Sequence, residues 1–179
     1  MRAFIALELP DAFADDVAAL ARALEAHVHG RFLTRERYHV TLAFLGDIGQ
    51  AQSERALEAL HAACAGSSPV TLRACDLGTF GRGSNTTLWL GLERDEALMQ
   101  LAARVRSSLA DAGLPCDAKA FKPHITLARH AHVAHGELPA LGFPRESEAT
   151  HVTLFKSTLE PDGAVYKALS TATLVDPGA

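Results

Sequence analysis

The sequence predicts an α+β fold built on an internal duplication. Twice, an apolar strand is followed by a capped helix and then by a strand carrying His-x-Thr-Leu: His39-Val40-Thr41-Leu42 and His124-Ile125-Thr126-Leu127. The spacing agrees, with 32 residues from Leu7 to His39 and 34 from Leu90 to His124. A last pair of strand patterns completes a sheet. At 179 residues the chain is long enough for one ample core. One two-lobed domain over 1–179 is expected, with the marked strands facing each other about a pseudo-twofold axis.

Each element has its own signal. Arg2 to Leu9 reads as a buried strand, with Phe4, Ile5, Ala6 and Leu7 a nearly continuous apolar run, ended by Pro10. Asp11 can cap a helix with Phe13, Val17, Leu20 and Leu24 at helical spacing, and Gly30 is its expected stop. Tyr38 to Leu45 alternates, placing Val40, Leu42 and Phe44 on one face and His39, Thr41 and Ala43 on the other. A second helix is expected over about Ser53 to Cys64, a strand over Val70 to Leu77, and a loop over Gly78 to Asn85. That loop lacks the spacing of a Walker or dinucleotide fingerprint. Thr86 to Leu92 reads as a strand, and Asp95 caps a helix with Leu98, Leu101, Val105 and Leu109 on one face and Gly113 as its stop. Phe121 to Arg129 repeats the alternation, so Ala128 joins His124 and Thr126 while Arg129 falls opposite. His130 to Ala149 reads as loop, broken by Gly136, Pro139, Gly142 and Pro144. Two strands, His151 to Ser157 and Ala164 to Leu174, join through Glu160-Pro161-Asp162-Gly163.

Composition bounds the function. A formal net charge of −4 excludes a broad basic surface as the source of affinity for long nucleic acid, leaving recognition to a few local groups. Cys64, Cys75 and Cys116 are odd in number and lack C-x-x-C spacing, which reads as reduced thiols in a cytoplasmic protein. The apolar start is too short for a signal peptide, and no segment could span a bilayer.

In a strand, His and Thr two positions apart project from one face. Two such pairs across a cleft supply two proton-transfer groups and two small hydrogen-bond donors, which suits chemistry on a phosphate. A lone His-x-Thr is weak evidence, as His151-Val152-Thr153-Leu154 shows: it repeats the tetrapeptide without the preceding strand and helix, and is expected to be a strand with solvent-facing His and Thr. His130, His132 and His135 lack a carboxylate or cysteine at ligand spacing, so no metal and no cofactor are expected. There is no G-x-S-x-G elbow for Ser-His-Asp catalysis.

With Tyr38 to Gly46 and Phe121 to Arg129 in hand, the chain resembles the two-histidine phosphoesterase superfamily, and within it the RNA 2′,3′-cyclic phosphodiesterases also known as 2′-5′ RNA ligases. The likeness extends to Arg2 to Leu7, Gly78-Thr79-Phe80, Leu88 to Gly91, Ser157, Gly163 and Tyr166. It implies a bilobal fold of two antiparallel sheets around a central cleft with helices outside. It also implies metal-independent hydrolysis of a 2′,3′-cyclic phosphate, on an RNA 3′ end or a nucleotide, to a 2′-phosphate. By matching positions, His39 and His124 are the catalytic pair, with a lean towards His39 as acid and His124 as base. Thr41 and Thr126 bind phosphate oxygens, and Arg129 binds substrate, with Lys122 as the alternative basic group. A monomer is expected. The other readings are 2′-5′ joining of RNA ends and a non-catalytic module that binds phosphorylated ends.

Overall fold

The computed structural model describes residues 1–133, 140–161, 163–176 and 178. His135, Gly136, Pro139 and Asp162, used in the reading above, lie outside the described residues. In chain order the elements are β1 (Arg2–Glu8), α1 (Asp11–Glu25), β2 (Val28–Phe32), β3 (His39–Asp47), α2 (Gln50–Cys64), β4 (Val70–Leu72), β5 (Ala74–Phe80), β6 (Thr87–Leu92), α3 (Glu96–Asp111), β7 (His124–Val133), β8 (Ser147–Ala149), β9 (His151–Glu160) and β10 (Gly163–Thr173). They build two four-stranded sheets, β10-β9-β1-β3 and β2-β7-β6-β5, and a small β4-β8 pair. Among the described residues every pairing is antiparallel. The duplication is visible in the order: β1, α1 and β3 in one half correspond to β6, α3 and β7 in the other.

Alternation along the central strands separates two environments. Ile5, Leu7, Leu88 and Leu90 join the main core with Val17 and Leu24 of α1, Leu60 of α2 and Leu101 and Val105 of α3. Phe4, Ala6 and Trp89 are equally buried but stand outside that core, on the faces turned to the cleft. The helices thus cover the outer faces and leave the inner ones for the site. No helix among the described residues is long and apolar enough to cross a membrane.

Several local expectations need correction. Asp11 begins α1 instead of capping it, with Pro10 at the cap position. Gly30 is not a helix stop: it sits in β2, where a Cβ would come within 3.0 Å of the Ala131 Cα. A strand with glycine at its centre and no alternation carries little sequence signal, so β2 went unseen. The stretch from Val70 divides at Arg73 into β4 and β5, which belong to different sheets, and β5 runs through Gly78 to Phe80. The second motif strand starts at His124 and continues to Val133, into the segment read as loop, and β8 follows at Ser147. Asp95 does cap α3, accepting from the Ala97 and Leu98 amides at 3.0 and 3.3 Å, and Gly113 follows in the left-handed region at φ 65°.

Candidate active site

Both motif strands break register at the same point, the Leu after the Thr. Along β1 and β3, Ala6 pairs with Thr41 and Ile5 with Ala43, so Leu42 is skipped. Along β6 and β7, Trp89 pairs with Thr126 and Leu88 with Ala128, so Leu127 is skipped. A bulge of one residue reverses the facing of everything after it. Ala43 and Ala128 therefore turn into the core, fully buried, and do not open space beside the histidines. Phe44 and Arg129 turn to the cleft instead, and both line a cavity of about 370 Å³ with His39 and Thr41. The bulge carbonyls are bonded from outside the two central ladders: Leu42 O accepts from Arg106 Nε of α3 at 2.9 Å, and Leu127 O from the Leu33 amide at 2.8 Å.

The two imidazoles are held in the same way. His39 Nδ1 donates to the Arg37 carbonyl at 2.8 Å, and His124 Nδ1 to the Lys122 carbonyl at 2.6 Å. A carbonyl only accepts, so each Nδ1 keeps its proton and each neutral ring presents an Nε2 lone pair. The Thr41 hydroxyl lies 3.1 Å from His39 Nε2. Thr126 is half-buried on the same face of β7 as His124, across the ladder from Trp89. Aromatic rings wall both histidines: Phe4 and Tyr166 at 5.0 and 5.3 Å from His39, Phe80 and Trp89 at 5.0 and 6.2 Å from His124.

Burial depresses both rings. Desolvation takes His39 down to about 4; the Arg37 carbonyl works against this, while the charges of His124 and Arg129 add to it. His124 is also lowered, first by desolvation and then by Lys122, against its own carbonyl anchor. The reach of the His124 charge to His39 places both rings in one electrostatic site. His124 borders a second cavity of about 970 Å³, and Thr41 lines both cavities.

Lys122 holds its ammonium 4.1 Å from the centre of the Trp89 ring and lines the His124 side, while Arg129 lines the His39 side. The two basic groups therefore stand on different cavities. The third motif is divided: His151 is exposed, but Thr153 is fully buried, bonded to the Glu8 carboxylate and, at 2.7 Å, to the Thr171 hydroxyl. His130 bonds the Ser84 carbonyl at 2.7 Å and His132 pairs with His29 across β7 and β2. Arg31 and Arg37 also line the His39 cavity. They escaped sequence reading because Arg31 lies on β2 and Arg37 precedes the motif.

Residues 9–157 match the sequence model of the 2′-5′ RNA ligase superfamily. The chain is 40% identical over 95 residues, 52% of its length, to an RNA 2′,3′-cyclic phosphodiesterase of Geobacillus stearothermophilus, of which it spans 30%. It is 33% identical over 169 residues to the RNA 2′,3′-cyclic phosphodiesterase of Escherichia coli K12, over 94% of this chain and 93% of that protein. Among solved structures, E. coli LigT in apo form matches with a TM-score of 0.81 at 30% identity, over 98% of each chain. LigT has also been solved complexed with 3′-AMP and with phosphate.

Proposed function

The chain belongs to the 2′-5′ RNA ligase superfamily, and from that premise we propose that it is an RNA 2′,3′-cyclic phosphodiesterase that works with two histidines and no metal. The observation that carries the reading is the matched pair of imidazoles, each tied through Nδ1 to a backbone carbonyl two residues back. That tie fixes the tautomer and leaves Nε2 for proton transfer.

In the reaction, one neutral ring takes a proton from water as its oxygen attacks phosphorus. The other ring, protonated, gives a proton to the ribose 3′ oxygen as the P–O3′ bond breaks, leaving a 2′-phosphate. Thr41 and Thr126 hold non-bridging oxygens, and Arg129 binds the anion with a fork of N–H donors. The unliganded site holds His39 neutral more firmly than His124, which runs against the lean towards His39 as acid. An arriving phosphate anion raises both rings and supplies the proton affinity that burial has removed. Both histidines come from one chain, consistent with action as a monomer. We place the chain in the cytoplasm on the sequence alone, which has three cysteines and no C-x-x-C spacing.

His39→Ala and His124→Ala should each lower turnover of a 2′,3′-cyclic substrate by roughly 10²-fold or more, with circular dichroism unchanged. Turnover should be the same in EDTA. Near-normal rates in either folded variant, or loss in EDTA with rescue by zinc, would refute the reading.

A further inference from the structure

A third imidazole borders the cavity beside His39, and it is held in the same way as the catalytic pair. His130 lines that cavity together with His39, Thr41 and Arg129. Its Nδ1 donates to the Ser84 carbonyl at 2.7 Å, as His39 and His124 donate to the carbonyls of Arg37 and Lys122. A carbonyl only accepts, so the neutral ring keeps its proton on Nδ1 and presents the Nε2 lone pair. The anchor differs in origin. It comes from 46 residues away, in the connection between β5 and β6, instead of from the residue two back.

Consecutive residues of a regular strand face opposite ways, yet Arg129 and His130 line one cavity. A second bulge in β7 makes this possible. Arg129 pairs with Arg31 and His132 with His29, so His130 and Ala131 together oppose Gly30 alone. On the other side Arg129 pairs with Thr87 while the Ala131 amide reaches the Thr86 carbonyl at 2.9 Å, which leaves His130 as the extra residue. Gly30 admits the bulge: a Cβ there would come within 3.0 Å of the Ala131 Cα and 3.3 Å of the Arg129 carbonyl oxygen. His130 itself has φ 52°, and among the described residues it is the one non-glycine residue in the left-handed region. An L side chain adopts that conformation at a cost, and residues strained in this way cluster at ligand sites.

We infer that His130 is a substrate-binding residue, whose Nε2 accepts a hydrogen bond from an N–H or O–H group of the nucleoside that carries the cyclic phosphate. Its place beside the phosphate rests on the phosphodiesterase reading, which puts that phosphate at Thr41. The bond to Ser84 occupies one ring nitrogen and orients the other. Phe32, Leu33, Phe44 and Tyr166 line the same cavity and give a nucleoside an apolar wall, against which one placed acceptor fixes orientation. Two groups of a nucleoside offer the required donor: the exocyclic amino group of a base such as adenine, and the ribose 5′ hydroxyl. Arg129 and His130 thus divide the substrate between them, the first taking the anion and the second the nucleoside.

Equilibrium binding tests this role without any turnover. Titration calorimetry at about pH 8, where an imidazole is ordinarily neutral, compares three product-like ligands. They are adenosine 2′-phosphate, purine riboside 2′-phosphate, which lacks the amino group, and 5′-deoxyadenosine 2′-phosphate, which lacks the 5′ hydroxyl. The wild type should bind adenosine 2′-phosphate about fivefold more tightly than one of the two analogues, the scale of a single hydrogen bond. Weakening with purine riboside points to the base as the donor, and weakening with the 5′-deoxy ligand points to the ribose. In His130→Ala that preference should fall to about one. His130→Gly should give the same result, and because glycine suits the left-handed backbone it guards against a folding defect in the alanine variant. A ring that only braced the Ser84 loop would weaken all three ligands alike on replacement. Equal or absent binding of the three ligands by the wild type, or a preference that persists in folded His130→Gly, would overturn the role. Failure of the catalytic reading would appear separately, as absence of turnover on the cyclic substrate.

Discussion

At the residue scale, the decisive feature is a pair of hydrogen bonds that assign roles to ring nitrogens. The proposed mechanism needs one protonated and one neutral ring, and that singly protonated pair is most populated between its two titrations. With His39 near 4 and His124 below its ordinary 6.5, kcat/KM should peak below pH 6.5 and fall above it as the pair loses its remaining proton. The curve for kcat reports the complex, where phosphate raises both rings, so its limbs should lie at higher pH. Exchanging the roles of the two rings gives the same curve, so the profile tests the pair and not the assignment. The depression also has a cost in acid. Between pH 6.5 and about 4 the unfolded chain binds a proton that native His39 refuses, so stability should be lost over that window. Melting followed against pH should show a steeper acid decline in the wild type than in His39→Gln.

At the element scale, strand periodicity identified His39, Thr41, His124 and Thr126 correctly as face partners and then failed one residue later. Strict alternation put Arg129 on the wrong side and the two alanines in the cleft; the bulges at Leu42 and Leu127 reverse both assignments. Nothing in a Leu signals a bulge, because what holds it is remote: Arg106, 64 residues away, at one, and the Leu33 amide at the other. Arg106→Ala should orphan the buried Leu42 carbonyl, costing about 1–3 kcal/mol in urea denaturation. It should also lower turnover through Thr41. The β5–β6 pairing makes a separate prediction. A Cβ at position 78 would lie 2.1 Å from the Trp89 ring, so Gly78→Ala must displace it at a cost of about 1–3 kcal/mol. Because Trp89 is the one tryptophan in the chain, a shifted fluorescence maximum should report the movement.

At the scale of the whole molecule, the duplication was legible because each half repeats strand, helix and marked strand at nearly the same spacing. Their interlocking was not legible. β2, from the first half, pairs with β7 of the second, and α3, from the second half, reaches back to the bulge in β3. Such long-range contacts leave no periodic trace, yet they bring Arg31 against Arg129 and set the two motif strands along one cleft. The central claim is that this cleft opens a cyclic phosphate by proton transfer between two histidines. Phosphorus NMR of an oligonucleotide 2′,3′-cyclic phosphate, incubated with the protein in EDTA, tests it most directly. The cyclic resonance should be replaced by that of a 2′-phosphate monoester, and should persist with His124→Ala. A cyclic resonance that survives the wild-type protein, or conversion to the 3′-phosphate, would contradict the account.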